Sequence, residues 1–388
     1  MSWPLVKLGE VAPSKALKNP VVLSDDNVWQ LNLDMVESNS GRIINKLKAP
    51  LSEAGSSTHW FDERHVLYSK LRPYLNKVVL PDEQGLATTE LVPMLPDPEK
   101  LDRRYLVHYL RSKQFVSWIS DQVAGAKMPR VSMKIFWDHE IPLPPLAEQK
   151  RIAAILDKAD AIRQKRKQAI ELADEFLRSV FLDMFGDPVT NPKGFSVGTI
   201  RDIVSTVNYG TSGKASETDG EFPILRMGNI TYKGGWDFSD LKYIDLDDKD
   251  QGKYLARKND LLFNRTNSKE LVGKTAIFNE SRPMAIAGYL IRVRTNELGN
   301  PWYISGYLNS SHGKQTLLNM CKSIVGMANI NAQELQDIKI LLPPVELQNK
   351  YESIVKEVNG RVSRHHESVK ELQVLFNSLS QKAFSGQL

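Results

Sequence analysis

Hydrophobic positions in this chain follow two rhythms. Between residues 345 and 385, Val355, Val358, Val362, His365, Val369, Leu372, Phe376, Leu379 and Ala383 step by three and four without a break. That is the seam of a heptad helix. Between 146 and 185 the matching positions are Leu156, Ala159, Arg163, Arg166, Ile170, Ala173, Leu177, Val180 and Met184. A second stripe, Ile152, Ile155, Ala159, Ile162, Ala169, Ala173 and Phe176, lies beside that seam. The first helix therefore has an apolar face broad enough for more than one neighbour. At about 1.5 Å per residue each helix is roughly 60 Å long, and a single helix of that length needs a partner.

Elsewhere the apolar runs are short and end at turn residues. Val78-Val79-Leu80 stops at Pro81-Asp82, and Leu91-Val92-Pro93 stops near Pro96-Asp97-Pro98. Asp260-Leu261-Leu262-Phe263 and Thr275-Ala276-Ile277-Phe278 predict strands, and residues 103–119 predict a helix. Residues 1–145 and 191–344 thus read as two α+β globular segments. Residues 146–190 and 345–388 hold the two long helices.

The halves repeat one another. Ile141-Pro142-Leu143-Pro144-Pro145 leads into the first helix, and Ile340-Leu341-Leu342-Pro343-Pro344 into the second. Glu148-Gln149 follows one, Glu346 and Gln348 the other. Tyr105-Leu106-x-x-Tyr109-Leu110 is echoed by Tyr303-Ile304-x-x-Tyr307-Leu308. Ser132 and Asn331 are matching N-cap candidates, and Asn331 with Glu334 makes a capping box. A long unit used twice is a duplicated domain, not a solenoid. Antiparallel pairing of the helices would place the globular copies at opposite ends, related by a pseudo-two-fold axis. Arg166 and His365, matching positions near mid-helix, would then mark the crossing point; the plainer alternative is that both snorkel to solvent.

Composition narrows the class. Hydrophobic residues at 41% and charged residues at 25% are ordinary for a globular protein. A single cysteine, Cys321, excludes an internal disulfide framework and fits a reducing cytosol. No apolar run approaches the ~18 residues that span a bilayer. Met1-Ser2-Trp3-Pro4 opens straight into folded-looking sequence with no signal peptide, so a cytoplasmic location and no membrane are expected.

The net charge of +5 is mild, and its placement says more. Arg64, Lys70, Arg72 and Lys77 occupy a stretch without an acid, interleaved with Tyr68 and Tyr74. Lys127 and Arg130 follow Gly125. In the second copy Lys253, Arg257, Lys258, Arg265, Lys269 and Lys274 face only Asp260 and Glu270, with Asn264, Asn267 and Ser268 among them. Tyr209-Gly210-Thr211-Ser212-Gly213-Lys214 is a polar loop of the kind that approaches a backbone phosphate. Lys and Arg hold phosphates, while Arg, Asn and Gln read base edges. Any one of these residues is more simply a solvated surface charge; the two clusters together carry the reading. The run Arg163-Gln164-Lys165-Arg166-Lys167 has acids close by and reads as an exposed helix face. Split recognition of double-stranded DNA by two unlike copies is the function this pattern suggests.

Catalytic motifs are missing. Ser212-Gly213-Lys214-Ala215 lacks the earlier Gly (Asn208) and the following Ser or Thr of a phosphate loop. Asn191-Pro192-Lys193 lacks the second Pro and the aromatic of amino-methyltransferases. Pro81-Asp82 with Glu90 meets Val92 where a metal-dependent nuclease needs Lys. His59, His65, His108, His139 and His312 have no metal-ligand spacing. This favours a binding subunit. The alternatives are a nuclease or methyltransferase with divergent motifs, and a coiled-coil adaptor that binds no DNA.

The stretch Ile141-Pro142-Leu143-Pro144-Pro145-Leu146-Ala147-Glu148-Gln149-Lys150-Arg151-Ile152, degraded at 340–354, resembles the start of the central helix in specificity subunits of type I restriction-modification systems. Val66 to Lys77 with Thr88-Thr89-Glu90 resembles one kind of target-recognition domain. Leu225-Arg226-Met227-Gly228-Asn229-Ile230 and Asn259 to Arg265 resemble another. The resemblance implies two target-recognition domains held apart by an antiparallel coiled coil, each reading half of a split, asymmetric DNA target. It implies docking of two modification subunits that carry S-adenosylmethionine and methylate adenine. Restriction subunits with ATP- and Mg-dependent translocation and nuclease activity would join them. This chain would then hold no catalytic residue, metal or cofactor. Its DNA contacts are expected at Lys70, Arg72, Tyr74, Lys77, Lys127 and Arg130 in one copy. In the other they are expected at Tyr209, Ser212, Lys214, Arg226, Asn229, Arg265, Asn267, Lys269 and Lys274. Departures at Leu341, Val345 and Leu347-Gln348 leave docking on the second helix different in detail.

Overall fold

The structure, a computed structural model, describes residues 3–22, 27–124, 128–321 and 327–388; Lys127 lies outside them. The chain divides into two compact units, one of Met1–Lys167 with His366–Leu388, the other Gln168–His365.

In the first unit a four-stranded sheet orders Leu47–Pro50, Asn27–Leu31, Gly85–Thr88 and Thr58–Phe61. A three-stranded sheet orders Val78–Val79, Val66–Ser69 and Leu91–Met94. Side chains from both sheets, among them Trp29, Phe61, Leu67 and Leu91, share one buried cluster. Alternation explains this. Leu67 goes to that cluster while its neighbours Val66 and Tyr68 go to the other face, against the helices. Those helices are Arg103–Leu110 and Lys113–Ser120. The single helix expected over 103–119 is broken because Ser112 caps the second, accepting from the Phe115 N–H at 3.2 Å.

The second unit repeats the plan. Its sheets order Lys242–Ile244, Phe222–Leu225, Met284–Ile286 and Leu255–Ala256, and Val204–Tyr209, Leu290–Thr295, Leu261–Asn264 and Thr275–Ile277.

The long helices run Leu146–Phe185 and Val345–Phe384. Within the first unit the start of one packs antiparallel on the end of the other. Arg151 Nη2 donates to Leu388 O at 2.9 Å, and Arg163 Nη1 to Gln373 Oε1 at 2.6 Å. Ile152, Ala153 and Leu156 share a core with Phe376, Leu379, Ala383 and Phe384. Within the second unit Leu177, Phe181 and Phe185 pack with Leu347, Tyr351 and Val355. The heptad seams are the faces turned inward, except at Arg166. Arg163, a polar break in the seam, is absorbed by Gln373, Asp160 and the Phe376 ring, 4.9 Å from its guanidinium. Arg166 is exposed and belongs to the first unit; His365 is half-buried and belongs to the second. Part of the second stripe stays in solvent: Ile162 and Phe176 are exposed, as are Leu172 and Leu182.

The repeated motifs join each globular part to its helix. Gln149 is fully buried. Its Oε1 accepts from the Asp102 N–H at 2.9 Å, and its Nε2 donates to the Lys100 and Pro144 carbonyls, each at 2.8 Å. Gln348, equally buried, accepts from the Asn300 N–H at 2.8 Å and donates to Leu298 O at 3.1 Å and Pro343 O at 2.9 Å. Tyr105 and Tyr303 donate their hydroxyls to Pro142 O and Leu341 O, both at 2.8 Å. These carbonyls lie outside any helix, in the segments that lead into one, and the side chains satisfy them. Of the two matching N-caps, Asn331 forms its capping box, whereas Ser132 makes no side-chain cap bond.

Candidate nucleic-acid interface

Each unit has a corner where a central strand leaves its sheet. In the first, the Val66–Ser69 strand runs into Lys70. The Lys70 N–H donates to Glu90 O at 3.0 Å, and Lys70 O accepts from the Val131 N–H at 3.1 Å. Leu71 then bridges to Arg130. Arg72 turns into the left-handed region at φ 49° and donates its N–H to Pro129 O at 2.8 Å. This turn leaves Arg72 and Tyr74 exposed. Arg130 is exposed and pairs with Glu90 at 2.8 Å, which holds that carboxyl below the usual range.

The second unit reproduces this backbone. The Arg265 N–H donates to Tyr289 O at 3.0 Å, Arg265 O accepts from the Ile330 N–H at 2.9 Å, and Thr266 pairs with Asn329. Lys70 and Arg265 are therefore equivalent, as are Glu90 and Tyr289, and Arg130 and Asn329. The Arg265 guanidinium lies 4.6 Å from the centre of the Tyr209 ring, whose hydroxyl accepts from the Ala332 N–H at 3.0 Å. Ser212, Lys214 and Lys269 are exposed and Asn267 is half-buried.

Four other residues expected at DNA have partners within the fold. Lys77 Nζ donates to Leu33 O at 2.7 Å, and Lys274, 7% exposed, donates to Met227 O at 2.8 Å. The two lysines are equivalent, since their own carbonyls accept from the Ser69 and Asn264 N–H groups. Each pins the loop that follows the parallel strand of the other sheet. Those loops approach so closely that Gly41 and Gly234, at φ 64° and 84°, leave no room for a Cβ: Val78 O would lie 1.8 Å and Thr275 O 2.9 Å away. Arg111 and Asn309 donate to those same carbonyls. Asn229, 3% exposed, accepts from the Arg226 N–H at 2.8 Å and donates to Asp237 O and Asp240 O. Arg226 pairs with Asp240 at 2.9 Å. The physical reason is shared by Lys77, Lys274 and Asn229: the loops bury backbone groups that water cannot reach, whereas Arg226 is held by the exposed Asp240.

The sequence pattern does not single out Tyr289, 53% exposed, or Asn329, which only the repeat could have flagged. Nor does it single out Lys314. This ammonium is shielded from solvent, has no hydrogen-bond partner among the described residues, and sits 5.0 Å from the Tyr232 ring. Burial and then Lys274 push its pKa down to about 8. The unfolded lysine binds its proton more tightly, so the penalty is full below pH 8 and fades as pH rises toward 10.5. Lys314→Met should stabilise the second unit by about 1 kcal/mol at pH 7.5. Urea titrations should show that advantage shrinking by about pH 9.5; an advantage constant with pH would assign it to packing alone.

Among the described residues no group of three or more His, Cys, Asp or Glu is placed to hold a metal ion, and no helix is long and apolar enough to cross a membrane.

The model for the type I restriction modification DNA specificity domain matches residues 61–172 and 192–373, one match for each recognition corner. The chain belongs to this family. It is similar to the EcoKI specificity subunit of Escherichia coli (strain K12), at 26% identity over 311 residues that cover 75% of this chain and 67% of that one. It is similar to the Escherichia coli EcoBI specificity subunit at 22% over 352 residues, 81% of this chain and 71% of that one. Its fold matches the S subunit of a type I restriction-modification system from M. genitalium with a TM-score of 0.62 at 15% identity, covering 99% and 96% of the two chains. As a type I specificity subunit it carries two target-recognition domains and no catalytic activity of its own. Specificity subunits bind DNA and assemble with the other subunits of their systems.

Proposed function

We propose that each unit of this specificity subunit reads one half of a split, asymmetric double-stranded DNA target, with the paired helices setting the separation. Two modification subunits dock on the helices, where Ile162, Leu172, Phe176 and Leu182 of the first and Val374 and Leu375 of the second leave apolar surface exposed. Those subunits carry S-adenosylmethionine and methylate adenine. Restriction subunits supply ATP- and Mg-dependent translocation and cleavage. The chain itself holds no cofactor and works in the cytoplasm. The observation that carries the reading is the pair of corners: one backbone arrangement built twice, carrying unlike exposed side chains. Exchanging residues 191–344 for another recognition domain, with the modification subunits present, should change one half-site in a map of methylated adenines and leave the other intact. A map in which both halves change, or neither, would sink the proposal.

A further inference from the structure

We infer that the corner itself discriminates bases, for a G·C pair in the first unit and an A·T pair in the second. This rests on the DNA reading proposed above and names the groups that carry it. Positions that hold the backbone keep their chemistry across the repeat: Lys70 and Arg265 are cations with the same N–H and carbonyl bonds. Exposed positions beside them do not. The first corner presents Arg130, oriented by the Glu90 carboxylate at 2.8 Å, beside the exposed Arg72, which is placed for phosphate. A guanidinium offers two parallel donors that match guanine O6 and N7 in the major groove.

The second corner presents the exposed Asn329, with the half-buried Asn267 beside it accepting from the Ser268 N–H at 2.9 Å. Asn329 is exposed, and its Oδ1 accepts from Thr266 Oγ1 at 2.9 Å, which sets the amide while leaving its donors and a lone pair available. An amide in that state matches the N6 donor and N7 acceptor of adenine. Shared cations grip phosphate on any sequence, so the unlike residues carry the discrimination.

The test uses the complete complex with its modification subunits, expressed in cells without adenine methylation, and a genome-wide map of methylated adenines. Asn267→Ala with Asn329→Ala should reduce selectivity about ten-fold or more at an A·T pair of one half-site only. Arg130→Ala should do the same at a G·C pair of the other half-site. Thermal melting confirms that each variant is folded. Where methylation falls too low to map, competition with duplexes altered at single base pairs gives the same readout. Folded variants that keep full selectivity in both half-sites overturn the inference while the DNA reading stands. A wild-type complex that methylates no split sequence overturns both.

Discussion

Gln149→Ala should lower the stability of the first unit by about 3 to 5 kcal/mol, and Gln348→Ala should do the same to the second. Each side chain is fully buried and makes three hydrogen bonds to backbone groups. Truncation strands one N–H and two carbonyls. Each costs roughly 1–3 kcal/mol when left without a partner, and the vacated volume adds to the penalty unless water enters. Glu in place of Gln would be no milder, because it would replace two satisfied donors with a buried charge. The neighbouring Glu148 is a control. Its partner Arg151 is half in solvent, so Glu148→Ala should cost under about 0.5 kcal/mol. Urea unfolding gives the magnitude, and hydrogen exchange shows which unit has loosened. A Gln149 variant as stable as the parent would remove the buried glutamine as the joint between domain and helix.

Neutralising Lys70, Arg72, Arg265 and Lys269 together should weaken DNA binding by the complex about a thousand-fold at 0.1 M salt. The same change should flatten the plot of log affinity against log salt by up to about four units, near 0.9 for each phosphate no longer neutralised. Arg72 and Lys269 are exposed, Lys70 is half-buried, and Arg265 is braced on Tyr209, so all four are placed to meet a phosphate backbone. Lys77→Met and Lys274→Met provide the contrast. Both ammonium groups are engaged with carbonyls inside their own unit. Their loss should cost stability and leave the salt dependence unchanged. An undiminished slope in the fourfold variant would exclude these four side chains from the DNA interface.

Much of the architecture was legible because it is periodic. The heptad seam at 355–383 faced inward as the spacing required, and so did its weaker partner except at the exposed Arg166. The Pro-Pro segments and paired tyrosines announced a duplicated joint, although the reason for the glutamine appeared only with its three partners. Chemistry at the recognition corners was less legible. Lys77 and Lys70 look alike in sequence, yet one satisfies a loop carbonyl and the other lies beside the exposed turn at Arg72. That difference depends on which backbone groups the tertiary fold shuts away from water, which no local pattern encodes. The corner equivalence was hidden for a different reason. The step from Lys70 to Arg265 is shorter than the step from Gln149 to Gln348, so a single alignment offset misses it.

The makeup of the first unit has a consequence for the order of events during synthesis. The second unit is one continuous stretch, Gln168–His365, and every residue it needs is joined to the chain before His366 is added. The first unit cannot close so early. Tyr105 and Tyr109 pack edge-on against Phe384, and Trp3 Nε1 donates to Ala383 O at 3.2 Å. Its core therefore waits for residues translated after the whole of the second unit. The recognition domain that is begun first is the one that is completed second. In the interval its exposed core is the part of the nascent chain most open to chaperones and to misassembly.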